Sequence, residues 1–204
     1  DMKSPGIEVR PLRQLTGEAE FNEVFFEDVR VPRENLLGEL HGGWQVAIAA
    51  LQNERGILYV VGMQIALKEG RDKLIAFARE RGAGQHPVLR QELAQVYLQT
   101  ETFRYTCQRT LSKLLRAGFP GPESAIIKAS WTEVTQAMPR IGMEILGMEG
   151  LLFDTPKADG SPGRPEQWLQ KGYLGSRAAS IASGTSEIMK GIIAMQFLGL
   201  PRGA

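Results

Sequence analysis

The sequence is poor in the residues that build disulfides and metal sites. Its 204 residues contain one cysteine, Cys107, and two histidines, His41 and His86. A single cysteine excludes an internal disulfide framework and is typical of a reducing compartment, so we expect a cytoplasmic protein. Neither histidine has a partner at the spacing of a metal site, and we predict none. Cys107 lies mid-helix without a nearby histidine, which indicates a small core residue.

The sequence also lacks an excess of charge of one sign and a long hydrophobic run. It has 24 basic and 23 acidic residues, a net charge of +1, which gives no indication of a nucleic acid or an acidic surface as partner. The most apolar stretch, residues 56–67, is interrupted by Gly62 and Gln64 and is too short to span a bilayer. No phosphate-loop, dinucleotide-binding or nucleophile-elbow motif occurs.

The pattern of the chain changes near residue 40. Before it, the stretches G-I-E-V-R-P-L and E-F-N-E-V-F-F-E-D-V-R-V-P alternate apolar and polar residues, which predicts strands. Two or three strands do not form a stable sheet alone. Residues 1–40 are therefore expected to be the terminal strands of a truncated β domain whose other strands lie upstream.

From residue 41 onward the pattern is helical. Long helices are predicted at about Trp44–Arg79, Pro87–Gly118 and Glu123–Leu146, followed by shorter ones at about Glu166–Ile181 and after the S-G-T-S stretch at residues 183–186. Helices of these lengths on short connections predict a mainly α fold, an antiparallel four-helix-type bundle over residues 41–204.

Glu54 interrupts an apolar helix face. Its neighbours at helical spacing are Ala47, Ala50, Leu51, Ile57, Leu58 and Val61. No lysine or arginine stands three or four residues away, and a buried carboxylate without a partner is costly or takes up a proton. Two interpretations stay open: a core glutamate paired with a basic residue of another helix, or a functional carboxylate.

A second informative stretch contains Ser183, Gly184, Thr185 and Ser186 and leads into an apolar-periodic helix with Glu187 in its first turn. Free backbone N–H groups at such a helix start attract phosphate or an oxyanion, and glycine permits close approach of a ligand. The same residues also form an ordinary N-cap, with Glu187 complementing the helix dipole. Both interpretations remain open.

Three stretches together carry a resemblance to a known family: F-N-E-V-F-F-E-D-V-R-V-P-R-E-N-L-L-G-E, G-G-W-Q-V-A-I-A-A-L-Q-N-E-R-G and G-T-S-E-I-M-K-G-I-I-A-M-Q-F-L-G-L-P-R. In order and spacing they resemble the acyl-CoA dehydrogenases over essentially the whole chain. Family members are flavoproteins of nearly twice this length, with an N-terminal helical domain, a central β domain and a C-terminal four-helix bundle. The resemblance implies that this chain corresponds to the end of the β domain and the bundle.

The resemblance also implies an activity, the α,β-dehydrogenation of an acyl-CoA thioester to the 2-enoyl-CoA, an oxidoreductase reaction of lipid metabolism. In the family a glutamate removes the α proton while the β hydrogen leaves as hydride to FAD. Most members carry this glutamate directly before G-T-S, where this sequence has Ser183, which cannot act as the base. A branch similar to the isovaleryl-CoA dehydrogenases has it before the arginine of L-x-x-E-R. That position is Glu54, which the resemblance makes the catalytic base.

Further site residues follow from the resemblance alone. Substrate contacts are implied for Gln52, Asn53, Arg55 and Ser183, with Arg55 near the CoA arm and the backbone N–H of Ser183 toward the thioester oxygen. FAD contacts are implied for Gly147, Gly184, Thr185 and Glu187. The implied partners are an acyl-CoA substrate, an electron-accepting flavoprotein, and other subunits in a homo- or hetero-oligomer, a dimer or tetramer.

The sequence departs from the family pattern at two flavin-contacting motifs. E-I-L-G-M-E-G has Glu144 for a glutamine and Met148 for a glycine, and R-E-R-G-A-G-Q-H-P has no Phe-Gly where the family has R-x-x-F-G. These departures leave a second function open, that of a non-catalytic partner subunit or assembly bundle of a heteromeric acyl-CoA dehydrogenase. Glu54 on its apolar face favours the catalytic alternative.

Overall fold

The computed structural model describes residues 1–54, 57–118, 121–152 and 164–201, and it describes no side chain between residues 52 and 60. The chain divides into two compact units, Asp1–Leu51 and Gln52–Ala204.

The first unit contains the two predicted strands. β1 (Ile7–Leu12) pairs antiparallel with β2 (Phe21–Phe26), with Ile7 opposite Phe26 and Leu12 opposite Phe21. The strand prediction is confirmed. Phe21 and Phe26 are 62% and 64% exposed, so this hairpin buries little apolar surface within the described chain.

Most of the remaining described residues are helical. Their bounds are α1 Gly43–Glu54, which begins in the first unit, then α2 Ile57–Glu80, α3 Pro87–Ala117, α4 Glu123–Leu146, α5 Gln167–Gly175 and α6 Ser186–Ile192. A helix at about Trp44–Arg79 was predicted, and α1 and α2 cover that range on either side of residues 55 and 56, which lie outside the described residues. The mainly α fold is confirmed.

Local signals explain the ends of α3. Pro87 occupies the first turn, where its missing N–H is not needed, and His86 Nδ1 accepts a hydrogen bond from the Leu89 N–H at 3.4 Å. Gly118 ends the helix in the left-handed conformation, at φ +76°, and its N–H donates to the Leu114 carbonyl. The predicted start and stop are both confirmed.

The helix predicted at about Glu166–Ile181 is shorter than expected. α5 ends at Gly175, and the turn Ser176–Ser180 that follows is a 3₁₀ helix. Side chains of α4 donate to the carbonyls of Ser176 and Ala179 in this turn. These two carbonyls therefore have hydrogen-bond partners outside their own helix, and α4 supports the turn.

The core of the second unit lies where α4 packs against α2, α3 and α5. Its fully buried side chains include Leu74, Phe103, Cys107, Ile141 and Leu169. The predicted core position of Cys107 is thereby confirmed. Among the described residues, no helix combines the length and the apolar character that crossing a membrane requires, and no three potential ligands cluster as a metal site.

Candidate functional site

One face of α4 supports the segment that leads to Ser183. Leu169, at the start of α5, packs on Gly142. Farther along the segment, the carbonyl of Ala179 accepts a hydrogen bond from Lys128, more than a dozen residues before Gly142 in α4. α5 and the turn Ser176–Ser180 therefore run antiparallel along α4. The residues from Ile181 onward follow this supported turn.

A polar stripe on α4 makes the contacts with the turn. Lys128, Thr132 and Gln136 are spaced four residues apart and so share one helix face. The Lys128 Nζ donates to the Ala179 carbonyl at 2.5 Å and to the Thr132 Oγ1 at 2.9 Å. The Thr132 Oγ1 also lies 2.9 Å from the Ala179 carbonyl oxygen, and the Gln136 Nε2 donates to the Ser176 carbonyl at 3.2 Å.

The backbone that follows is in an uncommon conformation. Ser183 has φ +56° and Gly184 has φ +103°, so two consecutive residues have positive φ. Glycine adopts such values readily, but a serine there is strained. Strained residues that their surroundings hold in place cluster at functional sites.

The ordinary N-cap expected at the S-G-T-S stretch forms at the first turn of α6. Thr185 is the N-cap residue, and its Oγ1 accepts a hydrogen bond from the Ile188 N–H at 3.3 Å. The pKa of Glu187 is lowered because its carboxylate accepts hydrogen bonds from its own backbone N–H and from the Thr185 hydroxyl. Thr185 and Glu187 are thus brought together, and Met189, fully buried, fixes α6 to the core.

Glu54 is the last residue of α1. Its side chain and those of Gln52 and Asn53 lie outside the described part of the structure, as does Arg55 altogether. Four neighbours on its predicted apolar face are described, and all are exposed: Ala47, Ala50, Leu51 at 48% and Val61 at 38%. The expectation that this face is buried is wrong for these residues, because an apolar helix face is buried only where another element packs on it.

Gly147 lies at the other end of α4. It caps the helix at φ +55°, and a Cβ at this position would meet no heavy atom within 4 Å. With a rise of 1.5 Å per residue, Gly147 is about 22 Å along the helix from Thr132, which contacts Ala179. The structure therefore does not bring Gly147 to the turn that precedes Ser183. Met148, beside it, is 79% exposed.

Lys128, Thr132 and Gln136 are not among the site residues predicted from the sequence. Their signal was present as K-x-x-x-T-x-x-x-Q, a polar stripe within a helix whose other residues include many apolar ones. Such a stripe usually indicates a solvated face. Here Lys128 and Thr132 are buried, and only the path of α5 and the turn explains why.

Comparison with known proteins identifies the family. Residues 41–198 match the family model described as acyl-CoA dehydrogenase, C-terminal domain. The acyl-CoA dehydrogenase IpdE1 of Mycolicibacterium smegmatis is 35% identical over 201 residues, which cover 98% of this chain and 48% of that protein. The chain therefore spans about half the length of the relative it matches.

Solved structures share the fold. The Tcur3481-Tcur3483 steroid ACAD superposes with a TM-score of 0.81 at 22% identity, over 99% of this chain and 51% of that one. The ChsE4-ChsE5 complex from Mycobacterium tuberculosis superposes with a TM-score of 0.70 at 22% identity, over 99% and 52%. Together with the family match, these comparisons show that the chain belongs to the acyl-CoA dehydrogenases, a family of FAD-dependent oxidoreductases.

Proposed function

We propose that this chain is part of a flavin-dependent acyl-CoA dehydrogenase that converts an acyl-CoA thioester to the 2-enoyl-CoA, with Glu54 as the base. The observation that carries the proposal is a pair of positions within the family-matched range 41–198. Ser183 stands where most members have the basic glutamate, and its hydroxyl is far too weak a base for an α C–H. Glu54 is the carboxylate at the alternative position.

The Glu54 carboxylate would take the α proton of the thioester. An apolar environment strengthens such a base, because it disfavours the charged form of the carboxylate. Since the described part of its helix face is exposed, we propose that the acyl group and the remainder of the full-length protein provide that environment. Gln52, Asn53 and Arg55, next to the base in sequence, are proposed substrate contacts, with Arg55 toward the CoA arm.

The backbone N–H of Ser183 is the proposed donor to the thioester oxygen. Negative charge develops on this oxygen as the α proton leaves, and a fixed N–H aimed at it stabilises the charge. A backbone donor does not depend on the side chain, so serine in place of glutamate preserves it. The supported turn before Ser183 and the N-cap after it favour a fixed position for this group.

FAD, when bound, would supply the hydride acceptor. The proposed contacts are Gly147, Gly184, Thr185 and Glu187. The open space at Gly147 and the positive φ of Gly184 fit a close approach of a ligand to the backbone. Because Gly147 lies about 22 Å along α4 from Thr132, we propose that an extended cofactor reaches both places or that two chains of an oligomer each contribute one.

The proposal extends to partners and domain organisation. We propose a cytoplasmic homo- or hetero-oligomer, a dimer or tetramer, that passes electrons to an electron-accepting flavoprotein. Residues 1–40 are proposed to complete a larger β domain, which the exposed Phe21 and Phe26 of the hairpin support, and residues 41–204 to form the bundle domain.

A non-catalytic partner subunit is the second candidate. Two structural neighbours carry the names of two proteins each, the Tcur3481-Tcur3483 steroid ACAD and the ChsE4-ChsE5 complex. The exposed Met148, in place of a glycine of the flavin motif, also supports a chain that assembles without binding FAD at that motif.

The variant Glu54→Gln in the full-length protein tests the base. We expect anaerobic bleaching of the flavin by butyryl-, isovaleryl- or octanoyl-CoA to slow by about 10²–10⁴-fold, the usual contribution of a general base, while FAD stays bound. Glu69→Gln, which removes an exposed carboxylate from α2, is the matched control and should retain the wild-type rate. Unchanged bleaching in Glu54→Gln would exclude this base. A wild-type protein that binds FAD in a heteromer and is never bleached would favour the partner subunit.

A further inference from the structure

We propose that Lys128 and Thr132 are positioning residues that hold the Ser183 backbone in place for the thioester oxygen, by anchoring the turn before it. This inference rests on the proposed function, which requires the Ser183 N–H to point at the thioester oxygen. Neither residue would touch the substrate or the cofactor in this role.

The anchor is the hydrogen bond from α4 to the buried carbonyl of Ala179. Lys128 is 2% exposed, and its Nζ lies 2.5 Å from the Ala179 carbonyl oxygen and 2.9 Å from the Thr132 Oγ1. Burying an ammonium is costly unless hydrogen bonds replace its hydration. The Ala179 carbonyl accepts one of these hydrogen bonds. Movement of the turn would therefore weaken this bond and leave the buried ammonium less well hydrogen-bonded.

The anchor is close to Ser183 along the chain. Only Ser180, Ile181 and Ala182 separate Ala179 from Ser183. The N–H groups of Ile181 and Ala182 both donate to the Ala178 carbonyl, at 3.0 and 2.9 Å, so the intervening backbone is itself hydrogen-bonded. Displacement of the turn would therefore be passed on to Ser183.

The other side of Ser183 is held independently. Thr185 caps α6, and the fully buried Met189 anchors that helix. Ser183, at φ +56°, lies between two fixed points. A strained conformation persists only where the surrounding structure over-determines it. Release of the Ala179 anchor should let Ser183 relax and turn its N–H away.

Gln136 offers a matched control. It belongs to the same stripe and makes the same kind of bond, from its Nε2 to the Ser176 carbonyl at 3.2 Å. Ser176 lies farther from Ser183 along the chain, so Gln136→Leu should affect the stability of the turn more than the position of Ser183. A purely structural stripe would give the same kinetic effect at all three residues.

The test uses the full-length, FAD-loaded protein and four variants: Lys128→Met, Thr132→Val, Thr132→Ser and Gln136→Leu. The first measurement is amide hydrogen exchange in a peptide that covers residues 180–186, which does not depend on turnover. We expect exchange to rise by about tenfold or more in Lys128→Met and Thr132→Val, and to stay near wild type in Thr132→Ser, which keeps the hydroxyl.

The second measurement is kcat and KM with the acyl-CoA that bleaches the wild type best. We expect kcat to fall by about 10²-fold in Lys128→Met, the usual cost of a small misplacement, with KM nearly unchanged. Thr132→Ser should restore the kcat that Thr132→Val loses, and Gln136→Leu should leave kcat near wild type. If Lys128→Met does not fold, the two Thr132 variants decide the question.

Unchanged exchange in folded Thr132→Val, or an equal loss of kcat in Gln136→Leu, would overturn the inference. Failure of the proposed function has a different signature. It would appear as a wild-type protein without turnover on any acyl-CoA, and the positioning role would fall with it. Turnover that survives Glu54→Gln would exclude only the base and leave this inference to the exchange and kcat results.

Discussion

Leu169 lies directly against Gly142. A Cβ on Gly142 would be 2.2 Å from the Leu169 Cδ2 and 3.0 Å from its Cγ. Leu169 is fully buried and has no exposed side to move toward. α5 therefore approaches α4 more closely than any residue larger than glycine at position 142 would allow. This contact places the turn Ser176–Ser180 on the polar stripe of α4.

The variant Gly142→Ala should destabilise the 204-residue chain by about 1–3 kcal/mol, as overpacking of a tight core does. The helix propensity of alanine acts in the opposite direction but is worth at most about 1 kcal/mol. Chemical denaturation followed by circular dichroism would measure the free energy of unfolding.

Gly62→Ala is the matched control for this substitution. Gly62 also lies within a helix, α2, but an added Cβ there would meet no heavy atom within 4 Å. It should stabilise the chain by about 0.5–1 kcal/mol. Equal effects of the two substitutions would show that the contact with Leu169 is not tight.

The parts of the fold that the sequence predicted have local causes. The ends of α3 follow from Pro87 and Gly118, which set the backbone at their own positions whatever packs around them. The strands of the hairpin follow from an alternation of period two, and the burial of Cys107 from its place on an apolar helix face.

The parts that were missed depend on distant residues. α5 ends at Gly175, and the turn that follows is held by Gln136 and Lys128, far away in sequence, through the carbonyls of Ser176 and Ala179. The apolar face near Glu54 shows the reverse case. Its pattern is that of a buried helix, yet Leu51 and Val61 are exposed, because periodicity identifies an apolar face but not the element that covers it.

The thiol of Cys107 should be unreactive in the native state. Burial raises its pKa to about 12, so at pH 8 only about one thiol in 10⁴ is ionised, and the thiolate is the reactive form. We expect iodoacetamide to label the native 204-residue chain only as fast as it unfolds, and to label it rapidly in urea. Intact mass gives the extent directly, because Cys107 is the only cysteine.

The double variant Cys107→Ala, Gln108→Cys provides the control for this measurement, since it moves the thiol to an exposed neighbour on the same helix. It should be labelled quickly without denaturant. Rapid labelling of native Cys107 would show that the core between α2, α3 and α4 opens locally.

Lys113 and Glu123 form an ion pair across the connection between α3 and α4. Burial by itself raises the pKa of Glu123. The hydrogen bond from Lys113, together with one from its own backbone N–H and the positive charges of Lys113 and Arg109, outweighs burial and leaves the pKa lower than usual. The unfolded chain therefore takes up a proton at a higher pH than the folded chain does.

This difference gives the stability a defined pH dependence. Above the ordinary glutamate value of 4.5 the carboxylate is ionised in both states, and the ion pair contributes in full. As the pH falls below that value toward the lower folded pKa, the contribution is lost.

Lys113→Met should lower the stability at pH 7 by less than about 1 kcal/mol, because Lys113 is half-exposed. It should also flatten the decline in stability below pH 4.5. Glu123→Gln removes the titrating carboxylate itself and should abolish its contribution to the decline, so adding Lys113→Met to it should flatten the decline no further. Urea titrations between pH 3 and 7 would measure this, and an acid decline in Lys113→Met as steep as in wild type would show that another group causes it.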